Sequence, residues 1–519
     1  MVHVIPTRPV LFITLIITAQ ALFNAGYATA DELLGAPQLL EKAVSAAEFI
    51  KSKRDKAQAL HRIALVQIKA GQLSSAKKTL SGALAVTMSM TSMEWKEEMF
   101  GMIAVAQAMS GELTGAIRTV SKVSDSNRRH DRLWEIVVWQ AENGHVAEAL
   151  RIAGSVDAGE FLNSNLTAIA WVQAKSKDVE GALKTADAIK DRAARNQAIG
   201  EIAVEQAKIG EVGAAVQNIS KLDDGLTRTN SLRIIVRDLA RAGDVRRGKE
   251  VASQLESNSP NYAIADALSE LGEAQVKQGD DTGAMETIGR VSEEFLHDAL
   301  SRVAEAQARA GNLPGGMETT NLIKNEPQRM HAQFRIATAL AETGNPTEAS
   351  KLLSTLDVDP EARVVLLSDI GNSQIKAGDI AGARKVVDEV IATNLGTDAQ
   401  ANALRAIGIA FVKAGKLSDA MKAIESLDGL MYRSQILHEI ALAQAETGDY
   451  PGAWKTAGTI QEKFAKLWSL HGIAAAQAKV GDLRSAVARS EKLNVPYERA
   501  QALLGVAEGI LEERSSIKK

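Results

Sequence analysis

The chain has 519 residues, 45% of them hydrophobic, with only 4% aromatic and no cysteine. That apolar content excludes wholesale disorder, and the missing thiols exclude disulfides, thiolate metal sites and cysteine nucleophiles. Sixty Lys and Arg against 64 Asp and Glu, net −4, excludes a dedicated nucleic-acid binder, which needs a strongly basic domain.

Residues 1–30 carry one charged side chain, Arg8, ahead of an apolar run from Val10 to Phe23. The run ends in Ala28, Thr29 and Ala30 before Asp31. A basic start, a short apolar stretch and an A-x-A site predict a signal peptide cleaved between Ala30 and Asp31. The run is short of the roughly 20 apolar residues that span a bilayer, and no later segment approaches a span. The expectation is an exported protein, periplasmic or secreted, with no membrane span after signal removal. From Asp31 to about Ile50 a lone helix is expected, so that residues 31–53 form an N-terminal cap.

From about residue 54 a motif resembling I-A-x-A-Q-A-K-A-G-D-x-x-G-A recurs to residue 498. Its turn glycine stands at Gly71, Gly111, Gly144, Gly210, Gly243, Gly279 and on to Gly481, with Lys177 in the same place in the fourth copy. Most successive spacings are 33 residues, which makes one unit repeated about thirteen times and not three unrelated domains. Eleven residues before the turn stands Leu in most copies (Leu60, Leu133, Leu166, Leu232), and eight before it always an aliphatic such as Ile63, Ile103 or Ile136. Seven before it is usually Ala or Gly. These offsets fall on one stripe of a helix that the glycine closes as its left-handed C-cap. Asp or Asn after the turn, as at Asp244, Asn345 and Asp482, caps a second helix. Five after the turn only Ala or Gly occurs, which requires close contact between helix backbones.

Residues 499–519 repeat only the first half of a unit, with Leu503 and Val506 in register, and turn polar at Glu512, Glu513 and Arg514. They are expected to form a C-terminal capping helix and tail. The fold class is therefore all-α, an α-solenoid superhelix of tandem antiparallel helix pairs.

Two helices per unit, a Gly turn, a small residue before it and Ala after it resemble the tetratricopeptide repeat over roughly residues 54–514. The family's first-helix aromatic is mostly Leu here, and its tyrosine four before the turn is Gln in ten units, among them Gln173, Gln206, Gln275 and Gln477. A ladder of these amides to backbone carbonyls of neighbouring units is expected, because buried amides need partners. The resemblance implies a right-handed superhelix whose first helices line a groove that binds protein or peptide segments.

Two residues before the turn, nine of thirteen units carry a base, including Lys175, Lys208, Arg241, Lys277 and Arg309. Cations there complement the helix dipole, and by the resemblance they lie near the groove. Trp134 and Trp171 fall on the same side and complete the candidate binding set. His61, His438 and His471 share a register ten before the turn. No metal spacing, nucleophile elbow or phosphate loop is present, so no metal, cofactor, catalytic residue or enzyme activity is expected. The expected function is a scaffold for protein segments in an envelope assembly or secretion complex. The alternative is a binder of acidic polysaccharide or another polyanion.

Overall fold

The computed structural model describes residues 35–156, 160–256, 259–396, 398–425 and 430–517. Residues 1–30, expected to be a signal peptide, and the Ala30–Asp31 bond lie outside these residues. Within them the chain forms 28 α-helices and no strand. It divides into two compact bodies, Val146–Ile436 and a second made from both ends, Met1–His145 with Leu437–Lys519.

The seventh repeat shows how the sequence builds a unit. Its first helix, Asn261–Lys277, buries Ala267, Leu268, Leu271, Gly272 and Gln275 along one stripe. Gly279 ends it at φ +81°, with the Gly279 amide donating to the Val276 carbonyl and the Asp280 amide to that of Gln275. This pair of bonds satisfies the last carbonyls of the helix. Asp280 then caps the second helix, Asp281–Ile288, accepting from the Gly283 amide at 2.8 Å. Lys177 holds the same left-handed geometry at φ +70° without being glycine.

The glutamine column makes a different contact from the one expected. In several units the amide clasps the two helices of its own unit instead of bonding carbonyls of a neighbouring one. Gln275 Nε2 donates to Asp280 Oδ2 at 2.9 Å, and its Oε1 accepts from the Thr287 hydroxyl at 2.6 Å. Gln173 makes the same pair with Asp178 and Thr185, as does Gln444 with Asp449 and Thr456. The reason is geometric: the turn brings the cap carboxylate and the threonine of the following helix within hydrogen-bond reach of the amide. The clasp also explains the glycine four residues after the turn. A Cβ on Gly283 would stand 2.1 Å from Asp280 Oδ2 and 2.4 Å from Gln275 Nε2.

Removing a complete clasp should therefore cost more than removing a partial one. Gln275→Leu is expected to lower stability by about 1–3 kcal/mol in urea unfolding. Gln374→Leu should cost less, because Val386 occupies the threonine position and Gln374 Oε1 has no partner. The Gln275 bond is also the main cause holding the Asp280 carboxyl below its usual range, so its titration by NMR should move upward in Gln275→Leu. Equal costs for the two variants would contradict the clasp.

In the Val146–Ile436 body, consecutive first helices pack on one another from Glu160–Lys175 through Asp398–Lys413. Second helices pack on the first helix of their own unit and of the next. First helices thus form the tighter layer, and their remaining stripe is the inner face of this body. The invariant small residue sits inside the helix pairs: Ala182, Ala284, Ala349, Ala383 and Ala420 are fully buried. At Gly316 a Cβ would stand 2.7 Å from the Ala304 carbonyl oxygen.

The body made from both ends departs from the expected capping arrangement. The N-terminal helix, Ala36–Glu48, packs along the C-terminal helix, Pro496–Ile517. The latter packs on the first helices of the thirteenth repeat, Lys463–Lys479, and of the first repeat, Lys53–Lys69. These are the contacts of a complete repeat whose first helix comes from the end of the chain and whose second comes from the start. Leu39, Leu40 and Ala43 share one buried cluster with Leu503, Leu504, Val506 and Ile510. Caps present a polar outer face to water, whereas these two helices bury apolar faces against each other and against the first helices beside them.

The helix approach at this junction is close. A Cβ on Gly505 would stand 2.1 Å from the His471 carbonyl oxygen, and one on Gly509 2.3 Å from that of Ala475. Ion pairs cross the chain ends: Lys42 with Glu491 at 2.7 Å, Lys463 with Asp55 at 2.6 Å, and Lys69 with Glu508 at 4.0 Å.

Candidate functional site: the inner face of the first helices

Residues 13, 9, 6 and 2 before each turn lie on one stripe of the first helix, the stripe left over after the core is packed. In the seventh repeat it carries Asp266, Glu270, Glu273 and Lys277, and in the eighth Asp298, Arg302, Glu305 and Arg309. In the ninth it carries His331, Arg335 and Glu342.

These side chains form a lattice of opposite charges from repeat to repeat. Arg302 bonds Asp266 at 3.0 Å, Glu270 at 3.1 Å and Glu273 at 2.5 Å. Arg233 of the preceding repeat meets Asp266 at 2.6 Å. Arg335 of the following one bonds Glu305 at 2.5 Å. The lattice is partly removed from water. Burial pushes the Glu273 carboxyl up, against the pull of Arg302. Burial pulls the Arg302 guanidinium down, but the carboxylates of Glu273, Glu270 and Asp266 outweigh it and hold it above its usual range.

The basic candidates enter this lattice at its edge. Lys208 pairs with Glu205 at 2.8 Å, and Arg241 reaches Glu270 of the next repeat at 3.8 Å. Arg309 bonds Glu305 at 2.9 Å and Glu342 at 2.5 Å. Lys277 is exposed, and its charge draws Glu273 downward. Lys175 stands over the Trp171 ring at 4.7 Å, a cation–π contact within one helix turn. Lys208, Arg241 and Arg309 are therefore carboxylate-paired, not a bare cationic stripe. Trp134 is half-buried and belongs to the body made from the chain ends, while Trp171 belongs to the other.

The three histidines in one register have three different environments. His61 is buried, with burial the main cause of a pKa lowered to about 4. His438 Nδ1 lies 2.8 Å from the Ser469 hydroxyl. His471 Nε2 lies 2.7 Å from Glu508, and its Nδ1 3.2 Å from the Gln501 carbonyl. Burial raises the Glu508 carboxyl, but its bond to His471 and the charges of His471, Lys69 and Arg62 bring it below its usual range.

One group of side chains is not predicted by the repeat pattern. Arg54 lies over the Trp95 ring at 3.1 Å, and Arg62 over the Trp468 ring at 4.2 Å. The i, i+4, i+8 series Arg54, Gln58 and Arg62 is a signal in the sequence, but the rings that complete it come from the second and thirteenth repeats. Of the methionines beside Trp95, Met90 is buried, while Met88 and Met93 are exposed.

Residues 368–429 match the tetratricopeptide repeat family. None of the curated proteins is similar enough to the chain to count as a match. Among solved structures, Naa15/Naa10 bound to HypK-THB is 14% identical over 97% of this chain and 88% of that one, with a TM-score of 0.37. The pentatricopeptide repeat protein PPR10 from maize is 13% identical over 97% of this chain and 88% of that one, with a TM-score of 0.31. The human IFIT1 dimer with m7Gppp-AAAA is 14% identical over 88% of this chain and 99% of that one, with a TM-score of 0.26.

Proposed function

We propose that this tetratricopeptide-like array is an exported, non-enzymatic scaffold that binds protein segments along the inner face of its first helices, in an envelope assembly or secretion complex. The observation that carries the reading is periodicity. The same four registers offer side chains in repeat after repeat, a pattern suited to an extended ligand. Catalysis on a small substrate asks instead for a nucleophile, base and oxyanion donors converging within a few ångströms. Export rests on the composition of residues 1–30.

The polyanion alternative asks for cations free to bind. Lys208, Arg241 and Arg309 have carboxylates at 2.8, 3.8 and 2.5 Å, which a polyanion would first have to displace. A segment carrying both signs of charge can exchange pairs with the lattice without leaving either sign uncovered.

The test begins with a crosslinking pull-down from envelope extracts to obtain a partner. Combining Lys175→Glu, Lys208→Glu and Arg241→Glu should then weaken that partner at least tenfold, about 1.4 kcal/mol. The same reversal at Lys376, Lys413 and Lys479 is the control and should leave affinity unchanged. Both triples lose similar helix-end electrostatics, so melting cannot separate them and binding must. Full affinity in the first triple would remove this stretch from the interface. Capture of heparin fragments in preference to protein, with steep salt dependence, would favour the polyanion reading.

A further inference from the structure

In the charge lattice of repeats six to nine, Arg233, Arg302, Arg309 and Arg335 each have a carboxylate partner. The first repeat carries arginines on the corresponding part of its first helix that have none. Arg54, Gln58 and Arg62 stand four residues apart on one stripe of Lys53–Lys69, all half-buried. Among the described residues, neither arginine has a carboxylate within ion-pair distance. Arg54 Nε and Gln58 Oε1 are buried without a hydrogen-bond partner.

Each guanidinium is instead fixed by an aromatic ring: Arg54 by Trp95 of the second repeat, Arg62 by Trp468 of the thirteenth. A guanidinium held over an indole face by a cation–π contact gives that ring no hydrogen bond along its edge, and its N–H donors remain available to planar acceptors. Stacking also fixes the side chain beforehand, so less entropy is lost when a ligand arrives. Trp468 is 49% exposed, and Phe464, one turn before it, is 45% exposed, so an apolar surface adjoins the donors. Burial draws the Arg62 guanidinium down from its usual range, against the charges of Tyr497 and Glu508.

We propose that Arg54, Gln58 and Arg62, with Trp468 and Phe464, form a docking face for an acidic peptide segment of a partner protein. Carboxylates of that segment accept from the two guanidinium edges, and its aliphatic stems lie on the two exposed rings. The proposal deepens the reading of the chain as a protein-binding scaffold and rests on it, while placing the contact on a different set of residues. Charge complementarity selects the occupant: the face offers two guanidinium groups with no carboxylate in ion-pair distance among the described residues, beside apolar surface. An acidic peptide supplies both parts, whereas a polysaccharide supplies the charge alone. Because Arg62 and Trp468 come from opposite ends of the chain, the face exists only when the composite repeat is closed.

The experiment uses the intact protein and a fluorescein-labelled hexaglutamate peptide, read by anisotropy, with hexaglutamine and a heparin hexasaccharide as comparison probes. Saturable binding of hexaglutamate, at least tenfold tighter than hexaglutamine, is expected. Arg54→Gln with Arg62→Gln should weaken it at least tenfold. Arg54→Lys with Arg62→Lys should give an intermediate loss, because charge is kept and the planar fork is not. Hydrogen exchange on the unmutated protein guards against a variant that fails to fold: hexaglutamate should slow exchange in Lys53–Lys69 and Lys463–Lys479. Protection confined to other helices, unchanged affinity in the folded glutamine variant, or tighter binding of heparin than of hexaglutamate would each overturn the proposal. The broader scaffold reading fails separately, if a pulled-down partner is indifferent both to these substitutions and to the triple reversal at Lys175, Lys208 and Arg241.

Discussion

Deleting Ala36–Glu48 should destabilise the far end of the chain. Hydrogen exchange should rise not only in the first repeat but across Lys463–Lys479 and Pro496–Ile510, at the opposite end of the sequence. The cause is the shared repeat: the deletion uncovers Leu503, Val506, Ala507 and Ile510, which are buried. The point variant Leu40→Ala should reproduce the effect in milder form. Leu40 is completely buried, and truncating such a side chain costs about 2–5 kcal/mol. A solenoid with an ordinary cap behaves otherwise, because each unit there couples only to its sequence neighbours. Exchange confined to Lys53–Met109 after the deletion would show that the two terminal helices do not share a core. Gly505→Leu attacks the same junction from the other side, where a side chain would meet the His471 carbonyl, and should be at least as damaging as Leu40→Ala.

Acidification should weaken the protein between about pH 6.5 and 4 through His61. Burial holds this imidazole neutral down to about 4, with Arg62 and Arg132 opposing its protonation and the Met102 backbone offsetting them in part. In the unfolded chain the ring takes its proton near its ordinary value of 6.5. The unfolded state therefore binds more protons in this window. The contribution is fully present above pH 6.5 and is lost as pH falls towards 4. At about 1.4 kcal/mol per unit the full loss is about 3 kcal/mol. Carboxylates also titrate in the lower part of the window, so the measurement is a comparison. Urea midpoints of the wild type and of His61→Gln should converge as pH falls from 7.5 to 4.5. Parallel curves would mean that His61 is not held neutral by its surroundings.

Most of the fold was legible because it is written thirteen times. A glycine or its substitute at a nearly constant spacing, with aliphatics at fixed distances before it, leaves one helical pairing that buries every stripe. The Gln column was legible as buried and polar, but its partners were not. Periodicity shows that Gln275 faces inward; only the turn geometry shows that Asp280 and Thr287 come within reach. The candidate binding column was legible as a register and misleading as a charge pattern. Lys208, Arg241 and Arg309 stand out along the chain because carboxylates such as Glu270 and Glu342 sit at other registers or in adjacent repeats. The terminal helices were each recognisable, one as a lone helix and the other as half a unit. Their union was not, because nothing local to Leu40 refers to Leu503. The Arg62–Trp468 contact was hidden for the same reason.

The shared repeat also imposes an order in time. The helix Ala36–Glu48 is made early, yet the C-terminal helix it packs along begins at Pro496. At about 5–20 residues per second, about 20 to 90 seconds of synthesis separate the two. Throughout that interval Ala36–Glu48 has only Lys53–Lys69 of its native neighbours to pack on and lacks the C-terminal helix. Pairing it means closing a loop that takes in all thirteen repeats, a slow step because its entropy is lost before any contact repays it. Interior repeats can form as their two helices emerge. The unit that joins Ala36–Glu48 to Pro496–Ile517 cannot, so this composite repeat closes only after both of its helices have been made, however early the interior repeats have formed.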